Sequence, residues 1–90
     1  MNENAAETLA LEALSWIVSD EDRLIAFLRL TGMTPSDLRA NAGARTTLVA
    51  VLDFLMGRES DLLDCCASLN VPPEMPARAR QTLSPQSQFE

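Results

Sequence analysis

Residues 9–35 read LALEALSWIVSDEDRLIAFLRLTGMTP, and the spacing of their apolar residues decides the fold. Leu9, Ala13, Leu14, Trp16 and Ile17, then Leu24, Phe27 and Leu28, recur at intervals of three and four. These are the intervals that share one face of an α-helix, and no alternating strand pattern competes with them. The stretch predicts a first helix from about Ala5 to Val18, capped by Asn4, with Leu11 and Val18 included in a broad apolar face. A second helix follows, with Ser19 as its cap and Asp20, Glu21 and Asp22 in the first turn, where the helix dipole favours negative charge. Leu24, Ile25, Phe27, Leu28 and Leu30 are expected to face the core or a neighbouring helix, and Gly32 ends the element.

Working outward, Thr34 followed by Pro35 and Asp37 is a helix start signal for a short third helix, Pro35 to about Asn41. Gly43 breaks the chain before a fourth helix, from Ala44 or Thr46 to Met56, which Gly57 closes. Ser60 is the expected cap of a fifth helix, Asp61 to Leu69, with Asn70 in a left-handed turn after it. Val71, Pro72 and Pro73 form an extended link. A sixth helix runs to Leu83 with Pro76 in its first turn, because deeper inside a helix proline costs about 3 kcal/mol. Residues 84–90 read as a polar, disordered tail with an isolated Phe89. The expected architecture is all-α: a compact bundle of five to six short helices forming a single domain over residues 1–83.

The opening stretch also has a counterpart. Shifted by 38 positions it lies without a gap on residues 47–73, TLVAVLDFLMGRESDLLDCCASLNVPP. Leu14 meets Leu52, Trp16 meets Phe54, Ile17 meets Leu55, Gly32 meets Asn70 and Pro35 meets Pro73. Only four pairs are identical, and amphipathic helices imitate one another readily, so duplication and chance similarity both stay open. Either way the pattern suggests two similar three-helix units that meet along the long first and fourth helices.

Composition bounds the chemistry. Ninety residues, 47% of them hydrophobic, make one domain with one core, and a formal net charge of −6 favours solubility. Charged residues interrupt every apolar run well short of the roughly 18 residues a membrane-spanning helix needs, and the acidic start resembles no secretory leader. A cytoplasmic location is expected. The chain has no histidine, lysine or tyrosine, and all seven basic residues are Arg. A Ser-His-Asp triad, a Cys-His pair, a Schiff-base lysine, a P-loop lysine and a histidine metal site are therefore impossible. The vicinal Cys65 and Cys66 could bind a soft metal, but their match to Phe27 and Leu28 favours small buried side chains. Asp20, Glu21 and Asp22 read as helix-start charges without a glycine-containing calcium loop around them. Neither catalytic residues, nor a cofactor, nor a metal site is expected.

Two readings of function survive. The leading one is a non-catalytic protein–protein interaction module or small regulator that binds a protein partner or a second copy of itself. Its apolar content exceeds what so small a bundle hides, and Leu30, Met33, Met56 and Val71, at helix ends and turns, are the candidate exposed surface. The alternative is a DNA-binding regulator using residues 24–41 as a helix-turn-helix-like segment, with Arg39 and Arg45 on phosphates. Residues 23–52 carry four Arg against one acidic residue. The strongly acidic remainder makes nucleic acid the less favoured partner.

The run Glu7-Thr8-Leu9-Ala10-Leu11-Glu12-Ala13-Leu14-Ser15-Trp16-Ile17, with Leu24, Phe27-Leu28, Thr31-Gly32, Thr34-Pro35 and Asp37-Leu38-Arg39, resembles a family of small alphaproteobacterial proteins known as a domain of unknown function. Val51-Leu52-Asp53-Phe54-Leu55 and Pro72-Pro73-Glu74 extend the resemblance over nearly the whole chain, while Pro76 and the cysteine pair depart from it. It implies a compact helical bundle in a bacterial cytoplasm and transfers no site residues.

Overall fold

Side-chain caps set where the first three helices start in the computed structural model, which describes residues 1–83. The tail expected at 84–90 lies outside them. Six helices follow one another: α1 (Glu3–Val18), α2 (Glu21–Thr31), α3 (Pro35–Ala40), α4 (Arg45–Met56), α5 (Glu59–Leu69) and α6 (Met75–Leu83). Among the described residues there is no strand.

Three predicted caps move. Asn2, not Asn4, caps α1, its Oδ1 accepting the Ala5 N–H at 2.7 Å, so the helix begins at Glu3. Asp20, not Ser19, caps α2 by accepting the Arg23 N–H at 3.2 Å. Ser19 instead closes α1, its hydroxyl donating to the Trp16 carbonyl at 2.7 Å. At α5 the predicted cap Ser60 lies inside the helix. The link from α4 is only Gly57 and Arg58, too short for a separate capping turn, and an Arg58–Asp61 ion pair at 2.7 Å braces the first turn instead. At α3 the Thr34 and Asp37 side chains form the expected reciprocal capping box, and Gly32 (φ 76°) and Asn70 (φ 60°) both adopt the left-handed conformation.

The two long helices, α1 and α4, pack on each other, and each also touches α2, α5 and α6. Two apolar clusters result. The first joins Ala13, Leu14 and Ile17 of α1 to Phe27, Leu38, Val51, Phe54, Leu55 and Cys65, with Phe27 edge-on to Phe54 at 5.5 Å between centroids. The second joins Ala6, Leu9 and Ala10 to Leu48, Leu52, Ala79 and Leu83. Small side chains at Ala6, Ala10 and Ala79 let α6 settle against α1 and α4, so burial there is dense despite few large residues.

Several apolar residues expected inside face outward. Leu11, Val18, Ile25 and Leu63 are each more than two-fifths exposed. The buried face of α1 runs through residues 6, 9, 10, 13, 14 and 17, and Leu11 and Val18 fall outside it.

Burial repeats at the 38-position shift across the first two helices of each half, as do the end of the first helix and both bounds of the second. Glu21–Thr31 becomes Glu59–Leu69, Phe27 falls on buried Cys65, and exposed Val18 and Ile25 fall on exposed Met56 and Leu63. The third helices are placed differently. The six-residue α3 is anchored by Leu38 alone, whereas α6 is longer and closes the core over α1 and α4. Side-chain bonds fasten it there: Arg80 grips Asp53 with two hydrogen bonds of 2.6 and 3.3 Å, and Arg45 donates to the Leu83 carbonyl at 2.9 Å while pairing with Glu3.

Candidate functional site

The C-terminal halves of α2 and α4 approach side by side and leave a groove of about 490 Å³ between them. Its floor is Phe54 and Ala26, which the 3.6-residue period of each helix turns toward the other, and its lip is Leu30, 68% exposed. Gly57 keeps one end open by adding no side chain. Arg29, Arg58 and Asp53 form the rim. The Arg58 guanidinium lies over the Phe54 ring, 5.1 Å from its centroid, while Asp53 is held by Arg80. Arg29 has no ion-pair partner among the described residues. A large apolar side chain so exposed beside an aromatic floor, edged by guanidiniums, is the composition of an interface anchor site.

A second groove occupies the matching place between α1 and α5. Ser15, Trp16, Ser19 and Ser68 line it, and each stands 38 positions from a residue of the first groove, namely Asp53, Phe54, Gly57 and Leu30. An Arg over the aromatic ring recurs as well, with Arg23 lying 3.7 Å from the Trp16 ring centroid. The linings differ: where one groove presents Leu30, the other presents Ser68, and the counterpart of the rim residue Arg29 is Ala67, which lines neither groove. The same helix geometry therefore carries an apolar, Arg-edged groove on one side and a hydroxyl-lined groove on the other.

The four predicted surface residues do not form one patch. Leu30 lines the α2–α4 groove, and Met56 is exposed at the last position of α4. Met33 is half-buried against the first cluster and lines a different groove near α3. Val71 is half-buried against the second cluster, in a groove with Met1, Leu9 and Met75. Helix ends are scattered around a bundle, so lying at a helix end does not make residues neighbours. Arg39 and Arg45 are both exposed, but Arg45 is held by Glu3 and by the Leu83 carbonyl at the end of α6. Its guanidinium is thus engaged within the chain.

Cys65 and Cys66 are both buried. Burial, reinforced by the neighbouring thiol, pushes Cys65 up to about 11, and burial also pushes Cys66 up. A thiol with that value is about 0.01% thiolate at neutral pH, which makes it a poor nucleophile. Among the described residues no three His, Cys, Asp or Glu side chains cluster as metal ligands, and no helix is long and apolar enough to cross a membrane.

A family model described as "Protein of unknown function (DUF3572)" matches residues 3–86. The chain belongs to that family. The match runs through the cysteine pair and Pro76 and three residues past α6. No curated protein and no solved structure matches the chain.

The pattern along the chain does not show that Ala26, Phe54 and Arg58 meet, because they lie on different helices and Phe54 also belongs to the core. A usable signal was the 38-position register, which sets Leu30 against Ser68 and buried Thr47 against Leu9. A change of polarity at a matched position marks a place where the two halves face different surroundings.

Proposed function

We propose that this chain is a non-catalytic protein–protein interaction module, acting in the bacterial cytoplasm, whose docking site is the α2–α4 groove. The observation that carries the reading is Leu30, 68% exposed at the lip of a groove floored by Phe54. Holding so much apolar surface in water forgoes roughly 1.5–3 kcal/mol that burial would return, and a partner that covers it recovers that energy. The 38-position correspondence supports a duplicated two-helix unit whose grooves have diverged, one kept apolar and one made polar.

The test uses the matched grooves as each other's control. A photo-crosslinking residue at position 30 is expected to capture a discrete partner, or a second copy, that the same residue at position 68 does not. Leu30→Asp is expected to abolish capture by a crosslinker placed at Gly57, with circular dichroism unchanged. Equal capture from both grooves, or capture indifferent to Leu30→Asp, ends the proposal.

A further inference from the structure

The geometry points to an acidic amphipathic helix as the occupant of the α2–α4 groove. One large apolar side chain of that helix rests on Phe54, and carboxylates a turn to either side meet Arg29 and Arg58. This partner chemistry rests on the docking reading of the groove, and the experiment below separates the two.

Charge carries the assignment. The chain as a whole has a formal net charge of −6, yet this groove is edged by Arg29, Arg58 and a single carboxylate, Asp53. Arg29 is exposed on α2, and its guanidinium has no ion-pair partner among the described residues. Arg58 edges the α4 side, lies over the Phe54 ring and donates its Nε–H to Asp61 at 2.7 Å. A guanidinium has five N–H donors, so its Nη groups stay available above the aromatic floor. Asp53 is the carboxylate that the fold neutralises, because Arg80 bonds both its oxygens, at 2.6 and 3.3 Å. An incoming side chain therefore meets an apolar floor, cations contributed from both helices, and a carboxylate already paired.

The matched groove between α1 and α5 lacks each of these features. There Leu30 is replaced by Ser68, Arg29 has the counterpart Ala67, and Glu12 adds a carboxylate to the lining. Arg23, the guanidinium over its aromatic ring, is tied to the Trp16 carbonyl at 3.1 Å and lies 3.8 Å from Asp20. Similar helix geometry thus offers no anchor and no free cation. Every difference suits an acidic segment with an apolar anchor to the α2–α4 groove and not to its counterpart.

The dimensions and the alternatives narrow the occupant further. The lining runs from Ala26 to Leu30 and from Asp53 to Arg58, roughly 6–8 Å of helix, which holds one anchor and not a heptad series. Among the described residues there is no strand, so no sheet edge awaits an extended peptide. A second copy docked by two-fold symmetry sets one basic rim against another, and like charges oppose that pairing. A nucleic-acid backbone matches the guanidiniums but leaves Leu30, 68% exposed, without apolar cover.

The experiment titrates the ¹⁵N-labelled full chain with three capped, alanine-rich helical peptides. The first has a central leucine with glutamates three and four positions to either side. The second has lysines in place of the glutamates, and the third has serine in place of the leucine. Saturable shifts of the Leu30, Phe54 and Gly57 amides are expected from the glutamate peptide, with a dissociation constant on the order of 0.1–1 mM. Added sodium chloride should weaken that binding, and the lysine and serine peptides should each bind at least about fivefold more weakly. Arg29→Glu is expected to weaken the glutamate peptide about fivefold to tenfold and to strengthen the lysine peptide, with thermal unfolding unchanged. Equal or tighter binding of the lysine peptide at the same amides overturns the acidic partner and leaves the groove a docking site. Binding indifferent to Arg29→Glu, or no shift from any of the peptides, also overturns it, while crosslinking from position 30 decides the docking reading separately. Shifts of the same amides on concentrating the chain alone assign the groove to a second copy, and tighter binding of a DNA duplex there assigns it to nucleic acid; either result overturns the proposal.

Discussion

Thr47→Val exchanges a hydroxyl for a methyl group of nearly the same volume at a site 3% exposed, on a helix that packs against α1 and α6. No side-chain oxygen among the described residues is both sealed from solvent and unpaired, so the sliver of Thr47 that meets solvent serves to hydrate its hydroxyl, and little is lost when it goes. The added methyl faces Leu9-like surroundings and gains at most about 0.8 kcal/mol. Helix propensity is nearly unchanged between the two β-branched residues. The expected net effect is a stabilisation of at most about 0.8 kcal/mol, or a rise in Tm of no more than about 3–6 °C for a domain of this size. Thermal unfolding followed at 222 nm, together with urea midpoints at unchanged slope, measures it. A destabilised variant refutes the reasoning, because it means the hydroxyl is bonded in the native state.

Leu30→Asp should leave Tm within about 2 °C of wild type, since an exposed position carries little folding energy, while removing partner capture. Gly32→Ala has space for the new Cβ but requires the left-handed conformation, so a loss of about 1–2 kcal/mol is expected from chemical denaturation, without change of fold. Cys65 ionises near 9 when unfolded and near 11 when folded, so the unfolded chain releases its proton first and stability falls as pH rises from about 9 to 11. Urea midpoints across that range check the sign, and a midpoint rising with pH contradicts it. Phe27→Ala removes a fully buried ring and its edge-on contact with Phe54, an expected loss of about 3–5 kcal/mol that should unfold the chain at moderate temperature.

The order and extents of the helices were legible in residues alone, because punctuation there is local chemistry. Thr34-Pro35-Asp37 makes a capping box whatever lies around it, and Gly32 and Asn70 take the left-handed turn that few other residues tolerate. Where two local candidates competed, as with Ser19 and Asp20, the pattern could not choose, since either side chain can accept the same kind of N–H. Burial at Ile25 and Leu63 was misread for another reason. An apolar residue on a helix flank is buried only if a neighbouring helix arrives there, and none does.

By itself, then, the sequence determined an all-α chain of six helices, with a 38-position echo and no residues for most familiar catalysis. Only the tertiary structure decided that α6 rather than α3 closes the core over α1 and α4. It alone brought Leu30 to Phe54 across α2 and α4, and buried Thr47 where the register sets it against Leu9. The physical reason is distance along the chain. Caps and periodicity act within four residues, whereas a groove is made by side chains 20 or more positions apart, whose meeting depends on how every helix packs.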